Sequence, residues 1–490
     1  MGMCTHCGWV PSSLLTRDCP ALYSRSVCAV WECVHTVDGF QAACSLETAL
    51  PCPVLSLCLQ LAVQYGNVYT LWMGSKPVVV LSGFYAVREA LASEAFLGRS
   101  YVSSMCRLIG NKGILMSNGK TWKQQRKFVL VALRNLGLGK KSMEQKIREE
   151  ADYLLGVIAR EEGKPLDPST MIHNAVSNVI VSVVFGQRMD LQEALFLTLM
   201  ESIHSMMHFQ GSASGQLYDA FPGLMHLLPG PHKRAFAHAD NLKRYIGTQI
   251  QEHRHSQHSE PRDFIDWYLS QINKTSADPE STFNDDSMLQ VVMDLFFAGS
   301  ESVATTLLWA LLYMVTNPGV QERVQEELDS VVGCSAPPRY EDRQRLPYTS
   351  AVVHETQRYS NIVAGGAMRL STRETSVQGH HIPKGTMVLP CLPSVLFDPE
   401  QWETPDKFNP GHFLDQEGNF RKREAFLPFS SGPRGCLGEQ LARVELFVFF
   451  SSLLQRFTFT LPSGVTEPNM DYELGAILTP HPFQICAVLR

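Results

Sequence analysis

The stretch Phe429-Ser-Ser-Gly-Pro-Arg-Gly-Cys-Leu-Gly438 sets one cysteine in a loop punctuated by glycine, with Arg434 two residues ahead of it. A helix-like run, Glu439 to Phe450, follows at once. Gly432, Gly435 and Gly438 let the main chain come close to a flat ligand. At a helix N-terminus the free N–H groups and the positive dipole end stabilise a thiolate, a soft ligand suited to iron. The competing reading of Cys436 is a structural cysteine in a turn. Two other groupings could also do chemistry. Trp122-Lys-Gln-Gln-Arg126 places an indole N–H and a guanidinium one helical turn apart, two donors suited to a carboxylate. A half-buried tryptophan beside a surface arginine has the same spacing. Ala298-Gly-Ser-Glu-Ser302 puts an acid, Glu301, beside an alcohol, Ser302. In mid-helix such groups can widen a turn, hold water and relay protons; a kinked core helix is the alternative.

These side chains need long helices to position them. Residues 286–316 run without proline and stop before Asn317-Pro318. Asp294, Glu301 and the hydroxyl-rich middle are too costly for lipid, so a long buried helix is expected. Further helices are expected near 85–95, 119–134, 140–161, 168–185, 190–209, 232–257 and 262–272, and from Pro347 to Tyr359. Asn67–Met73 and Pro77–Leu81, joined by Gly74-Ser-Lys, read as a strand pair, with more strand near 367–391 and 455–489. Glu355-Thr-Gln-Arg358 places opposite charges on one helix face, close enough to pair. Ala220–Pro229 reads as a proline-bounded surface loop carrying large apolar side chains. No repeat or low-complexity linker divides the chain.

The spacing of Phe429, Gly432, Arg434, Cys436, Gly438 and Ala442 resembles the haem-binding loop of the cytochrome P-450 superfamily. With Asn118–Arg126, Arg134–Gly139 and Phe429–Arg443 included, residues from about 60 to 490 are similar to family 2, nearest the J-type and related vertebrate subfamilies. The resemblance implies a mainly α fold with small β-sheets, an α+β haem-thiolate prism. It implies haem (heme, iron protoporphyrin IX) on Cys436 as axial ligand, within the loop that opens at Phe429. Trp122, Arg126, Arg99, Arg369 and Arg434 are implied at the propionates. Glu355, Arg358 and His412 are implied as a buried triad bracing that loop. Glu301 and Ser302 would deliver protons, with serine where the family has threonine, which loosens coupling.

The activity implied is an NADPH-dependent monooxygenase, served by a flavoprotein reductase and by cytochrome b5. It would insert one oxygen atom from O2 into lipophilic substrates by hydroxylation or epoxidation. Polyunsaturated fatty acids such as arachidonic acid come first, xenobiotics and steroids second. Phe296, Phe297, Ala298, Val363 and Ile477 are the expected pocket wall. A haem-thiolate peroxide isomerase and a non-catalytic haem-binding member are the alternatives; the former needs no proton relay. Ile362–Met368 lacks the prolines common in this wall.

The 490 residues are 44% hydrophobic and 18% charged, with net charge −6. This argues for a large core and against nucleic acid as a partner. Eight of the 13 cysteines fall within the first 58 residues, which set themselves apart as a cysteine-rich extension before one catalytic domain, 59–490. The body of the chain has the cysteine usage of a reduced, cytosol-facing protein. Cys4-Thr-His-Cys7 lacks a second pair at zinc spacing, and no apolar run of about 20 residues is readable in the extension. The reading favours a poorly ordered segment or a mis-assigned first exon. The resemblance implies the cytosolic face of the endoplasmic reticulum membrane, so peripheral contact through the 220–229 loop is expected. Lys120, Lys123, Lys127, Lys140, Lys141 and Arg421-Lys-Arg423 are the candidate basic patch for an acidic reductase.

Overall fold

A computed structural model describes residues 53–490, apart from 74–75, 102, 191–192, 257–259 and 334–335. The readings of Cys4-Thr-His-Cys7 and of the turn at Gly74-Ser75 lie outside the described residues. The frame is a stack of helices around Asp285–Thr316. Asn284 caps that helix by accepting from the Ser287 N–H at 3.0 Å, and Asp285 and Asp286 complement its N-terminal dipole. It is apolar all round because it is surrounded. Among the described residues only this helix is long and apolar enough to cross a membrane, yet 78% of the apolar window is buried inside the protein. Ser169–Val184 packs so tightly on it that a Cβ at Gly299 would press on Ile180. Glu439–Arg456, which carries the chain away from Cys436, adds Phe447, Phe449 and Phe450 to the same core.

The strand pair forms as expected. Val68–Met73 runs antiparallel to Lys76–Leu81, with Val68 opposite Leu81. Met387–Pro390 adds parallel to the second strand, and Arg369–Leu370 completes a four-stranded sheet. Smaller sheets close the C-terminal part, one of them joining Pro165–Leu166, Ile485–Leu489 and Phe457–Thr460.

Several boundaries differ from the sequence reading. Helix Pro53–Tyr65 straddles the expected division at residue 58, and its Cys58 and Leu61 are buried against the sheet. The segment read as a loop at 220–229 contains a short helix, Pro222–Leu227, because Pro222 takes the first helical position, where no N–H is needed. For the same reason Asn317-Pro318 both ends the central helix and starts Pro318–Val331, which the reading did not foresee. Ser104–Ile109 and Ala213–Ala220 are too short to show a period. The widened turn that the sequence allowed near Ser302 does not occur. The helix is continuous, and the Ser302 hydroxyl donates to the Ala298 carbonyl at 3.0 Å inside it.

Candidate active site

The cysteine loop closes on itself: the Cys436 N–H donates to the Phe429 carbonyl at 2.9 Å, while the Phe429 ring lies 5.2 Å from the Arg443 guanidinium. Gly432 has φ +71°, and a Cβ there would collide with the Leu91 carbonyl oxygen. No other residue type fits this turn. Cys436 is exposed, although dense protein around it desolvates its thiol. Burial pushes the thiol above its ordinary value, against the Gly438 N–H and Arg126, which favour the thiolate. The helix start alone does not make a thiolate here; a cation on the sulfur would.

Around this loop stand four guanidinium groups. Arg126 donates to the Gly435 carbonyl at 2.7 Å. Arg434 donates to the carbonyls of Leu97 (3.0 Å), Ile114 (3.1 Å) and Ser117 (2.5 Å), and lies 4.2 Å from the Trp122 ring. Arg99 donates to the carbonyls of Leu115, Ala367 and Met368. Among the described residues Arg369 reaches only the Ser430 hydroxyl, at 3.4 Å. None of the four has a carboxylate partner among the described residues. Burial, then mutual repulsion, holds Arg434 down to about 9 and Arg369 to about 10, and lowers Arg99 as well. Trp122 Nε1 and Arg369 Nε and Nη1 are buried donors with no acceptor among the described residues. Such orphaned donors are costly unless an anion meets them. A flat group bearing two carboxylates to accept from these donors, and a metal for the thiol, satisfies all of these requirements, and haem offers both.

The middle of the central helix divides two chemistries. From Ser287 to Thr316 its only exposed residue is Ala298, one turn before the partly exposed Ser302. Phe296 faces the other way: it is fully buried and meets Phe185 edge-on at 5.7 Å, so it belongs to the core and not to a pocket wall. Phe297 and Ile477 are buried, and Val363 is half-buried. Glu301 does not share a site with the Ser302 hydroxyl. Its carboxylate points between two helices to His173 Nε2 at 3.1 Å and His204 Nδ1 at 4.0 Å. Burial opposes its ionisation, but the two imidazoles prevail and bring it down to about 2. Against burial, Glu301 raises His173 above its ordinary value; His204 is raised too, chiefly by its hydrogen bond to Glu301. His173 is largely buried, whereas the His204 side chain is 53% exposed, so the group connects with solvent. Neither histidine could be paired with Glu301 from sequence, because only the packing of three helices joins them.

The brace exists as a built unit. Arg358 and Glu355 form a two-pronged pair at 2.8 and 2.7 Å, both fully buried. His412 Nδ1 adds to Glu355 at 3.2 Å, and Arg358 also donates to the carbonyls of Leu396, Pro405 and Lys407. A second carboxylate, Asp294, accepts from the N–H groups of Ile114 and Leu115, the residues whose carbonyls receive Arg434 and Arg99. Burial raises it to about 7. It carries no signal in the sequence beyond being an acid in an apolar helix.

Residues 48–487 match the family described as Cytochrome P450. The chain is 44% identical over 434 residues to cytochrome P450 2J5 of Mus musculus, covering 88% of this chain and 86% of that protein. It is 44% identical over 428 residues to human (Homo sapiens) cytochrome P450 2J2, covering 87% and 85%. To cytochrome P450 2B4 of Oryctolagus cuniculus it is 41% identical over 438 residues, covering 88% and 89%.

Proposed function

Because the chain belongs to the cytochrome P450 family, and is thereby a haem-thiolate monooxygenase of lipophilic compounds fed from NADPH through a reductase, we propose that Cys436 is its iron ligand and that Trp122 and Arg369 take the haem carboxylates. The observation that carries this is the pairing of an open, desolvated thiol with buried, acceptorless donors beside it. Arg126 holds the cysteine loop at Gly435. Arg99 and Arg434 spend their hydrogen bonds on main-chain carbonyls, so they shape the wall and contribute charge more than direct contacts.

Haem, when bound, supplies the activation of dioxygen and its transfer to a C–H or C=C bond. The chain's own tasks are to place substrate and to bring protons. Ala298, the one exposed residue of the central helix between Ser287 and Thr316, gives an apolar substrate close approach, with Val363 and Ile477 as the expected remainder of the wall. Long flexible lipids, polyunsaturated fatty acids first and xenobiotics or steroids second, suit such a wall. Proton delivery by Glu301 and Ser302 requires the Glu301 carboxylate to turn from His173 and solvent-linked His204 toward Ser302, and the Ser302 hydroxyl to leave the Ala298 carbonyl.

The reductase docks on Lys123, Lys127, Lys140, Lys141 and Lys422. Of the basic patch these have no ion-pair partner among the described residues, whereas Lys120 is tied to Glu280 and Arg421 and Arg423 to Glu403. Cytochrome b5 would use the same face. The membrane contact is formed by Phe221, Leu224, Leu227 and Leu228, together with Trp72 and Met73, all exposed. Asp219 feels the charge of Lys76, which sets these two patches side by side. Such a surface suits the cytosolic leaflet of the endoplasmic reticulum.

The reduced carbon monoxide complex tests the ligand. Wild type should show the red-shifted Soret band of thiolate ligation, and Cys436→Ser should lose it; a retained band overturns the assignment. Glu301→Ala with Ser302→Ala should keep haem while product per NADPH falls and peroxide rises. Unchanged coupling would remove the relay.

A further inference from the structure

Helix Pro53–Tyr65 meets the four-stranded sheet in one small nest: Cys58, Leu61, Tyr69, Leu71, Val80 and Cys391. Cys58 and Cys391 lie far apart in the sequence, are each 1% exposed, and are both free thiols. The two side chains pack in the same buried cluster, close enough to influence each other's ionisation. Both backbones are pinned where they meet. The Tyr69 hydroxyl donates to the Cys58 carbonyl at 2.8 Å, the Cys391 N–H to the Leu81 carbonyl at 2.9 Å, and the Ser394 hydroxyl to the Cys391 carbonyl at 2.6 Å. The contact makes the two thiols unequal. Cys391 lowers Cys58 against the effect of burial, while Cys58 and burial push Cys391 up. Two free thiols thus share one nest, so that a second sulfur stands beside whatever forms on the first.

We propose that Cys58 and Cys391 form a reversible disulfide on exposure to a hydroperoxide, fastening the N-terminal helix covalently to the sheet. The Cys58 thiolate attacks one peroxide oxygen and the O–O bond breaks; the leaving oxide takes a proton, giving water and a sulfenic acid at Cys58. The Cys391 sulfur, losing its proton, attacks the Cys58 sulfur, and the sulfenic hydroxyl leaves as the second water. Two thiols and one hydrogen peroxide become one disulfide and two waters, with two electrons passing from sulfur to peroxide. A small dithiol reverses it. The inference is independent of the catalytic assignments above, since neither cysteine belongs to them. Cys106 and Cys486, also free but without such a partner among the described residues, serve as internal controls.

The test treats the full-length holoprotein with stepped hydrogen peroxide. Free thiols are then blocked with N-ethylmaleimide in denaturant, disulfides reduced, and the released thiols marked with iodoacetamide for peptide mapping. Cys58 and Cys391 should pass together into the second label, roughly tenfold ahead of Cys106 and Cys486. A cross-linked peptide pair should be seen before reduction and vanish with dithiothreitol. Proteolysis between the helix and the first strand should release the N-terminal piece from untreated protein but not from oxidised protein. Cys391→Ser, checked for an unchanged haem spectrum, should abolish the cross-link and leave Cys58 reactive toward dimedone. Retention of both thiols in the first label while Cys106 oxidises overturns the proposal. So does a cross-link from Cys58 to any other cysteine.

Discussion

Glu301 is an acid whose neighbours decide its work. In sequence it stands beside Ser302; in space it stands between His173 and His204, with Asp167 adding charge near the first and Glu473 near the second. The sign of the pH effect follows from the directions of the shifts. His173 and His204 are raised above the ordinary histidine value of about 6.5, so the stability they lend is complete below that value and is lost as pH rises through their folded values. Glu301 is held down to about 2, so its share is present above the ordinary glutamate value and disappears only in strong acid. His173→Gln should therefore cost about 3 kcal/mol near pH 6, the penalty for leaving a buried carboxylate without its cation, and much less near pH 9. Urea unfolding at the two pH values measures it; an equal loss at both would show that shape, not charge, is what His173 supplies.

At the scale of elements, the cysteine loop is positioned by parts that each leave a different trace in the sequence. Phe429, Gly432, Arg434 and Cys436 could be read directly, because a turn that admits only glycine and a loop that holds a metal leave residue types at fixed intervals. Of the brace, only the Glu355–Arg358 pairing was readable from spacing, one helical turn apart; its bracing role and His412 came through the family resemblance. What stayed hidden depends on packing between distant segments: the Asp294 contact with Ile114 and Leu115, the histidines on Glu301, and the burial of Phe296 against Phe185. The turn at Ser302 stayed open in the sequence because a hydroxyl can either open a helix or fold back on its own carbonyls, and composition does not say which. Two substitutions check the element scale. Glu355→Gln should destabilise by about 3–5 kcal/mol, since it leaves Arg358 charged, buried and unpaired. Gly432→Ala, strained in φ and blocked by Leu91, should yield protein with poor haem retention. Chemical denaturation and haem content per polypeptide read these out.

At the scale of the whole molecule, a net charge of −6 coexists with a local excess of unpaired lysines. Reversing Lys123, Lys127, Lys140 and Lys141 together should raise the apparent KM for reductase by roughly tenfold at low salt and flatten its dependence on ionic strength. Steady-state turnover against reductase concentration at two salt levels measures both. An unaltered salt dependence would move the docking face elsewhere. The arginine cluster has a consequence of another kind. Arg99, Arg369 and Arg434 repel one another, and the orphaned donors of Trp122 and Arg369 add to the cost of holding them together. A ligand that neutralises them stabilises only the folded form, so the population of native protein follows ligand supply by mass action. In a cell short of haem, newly made chains would linger in a loosened state exposed to proteases, and the amount of enzyme would track the output of porphyrin synthesis even at constant transcription.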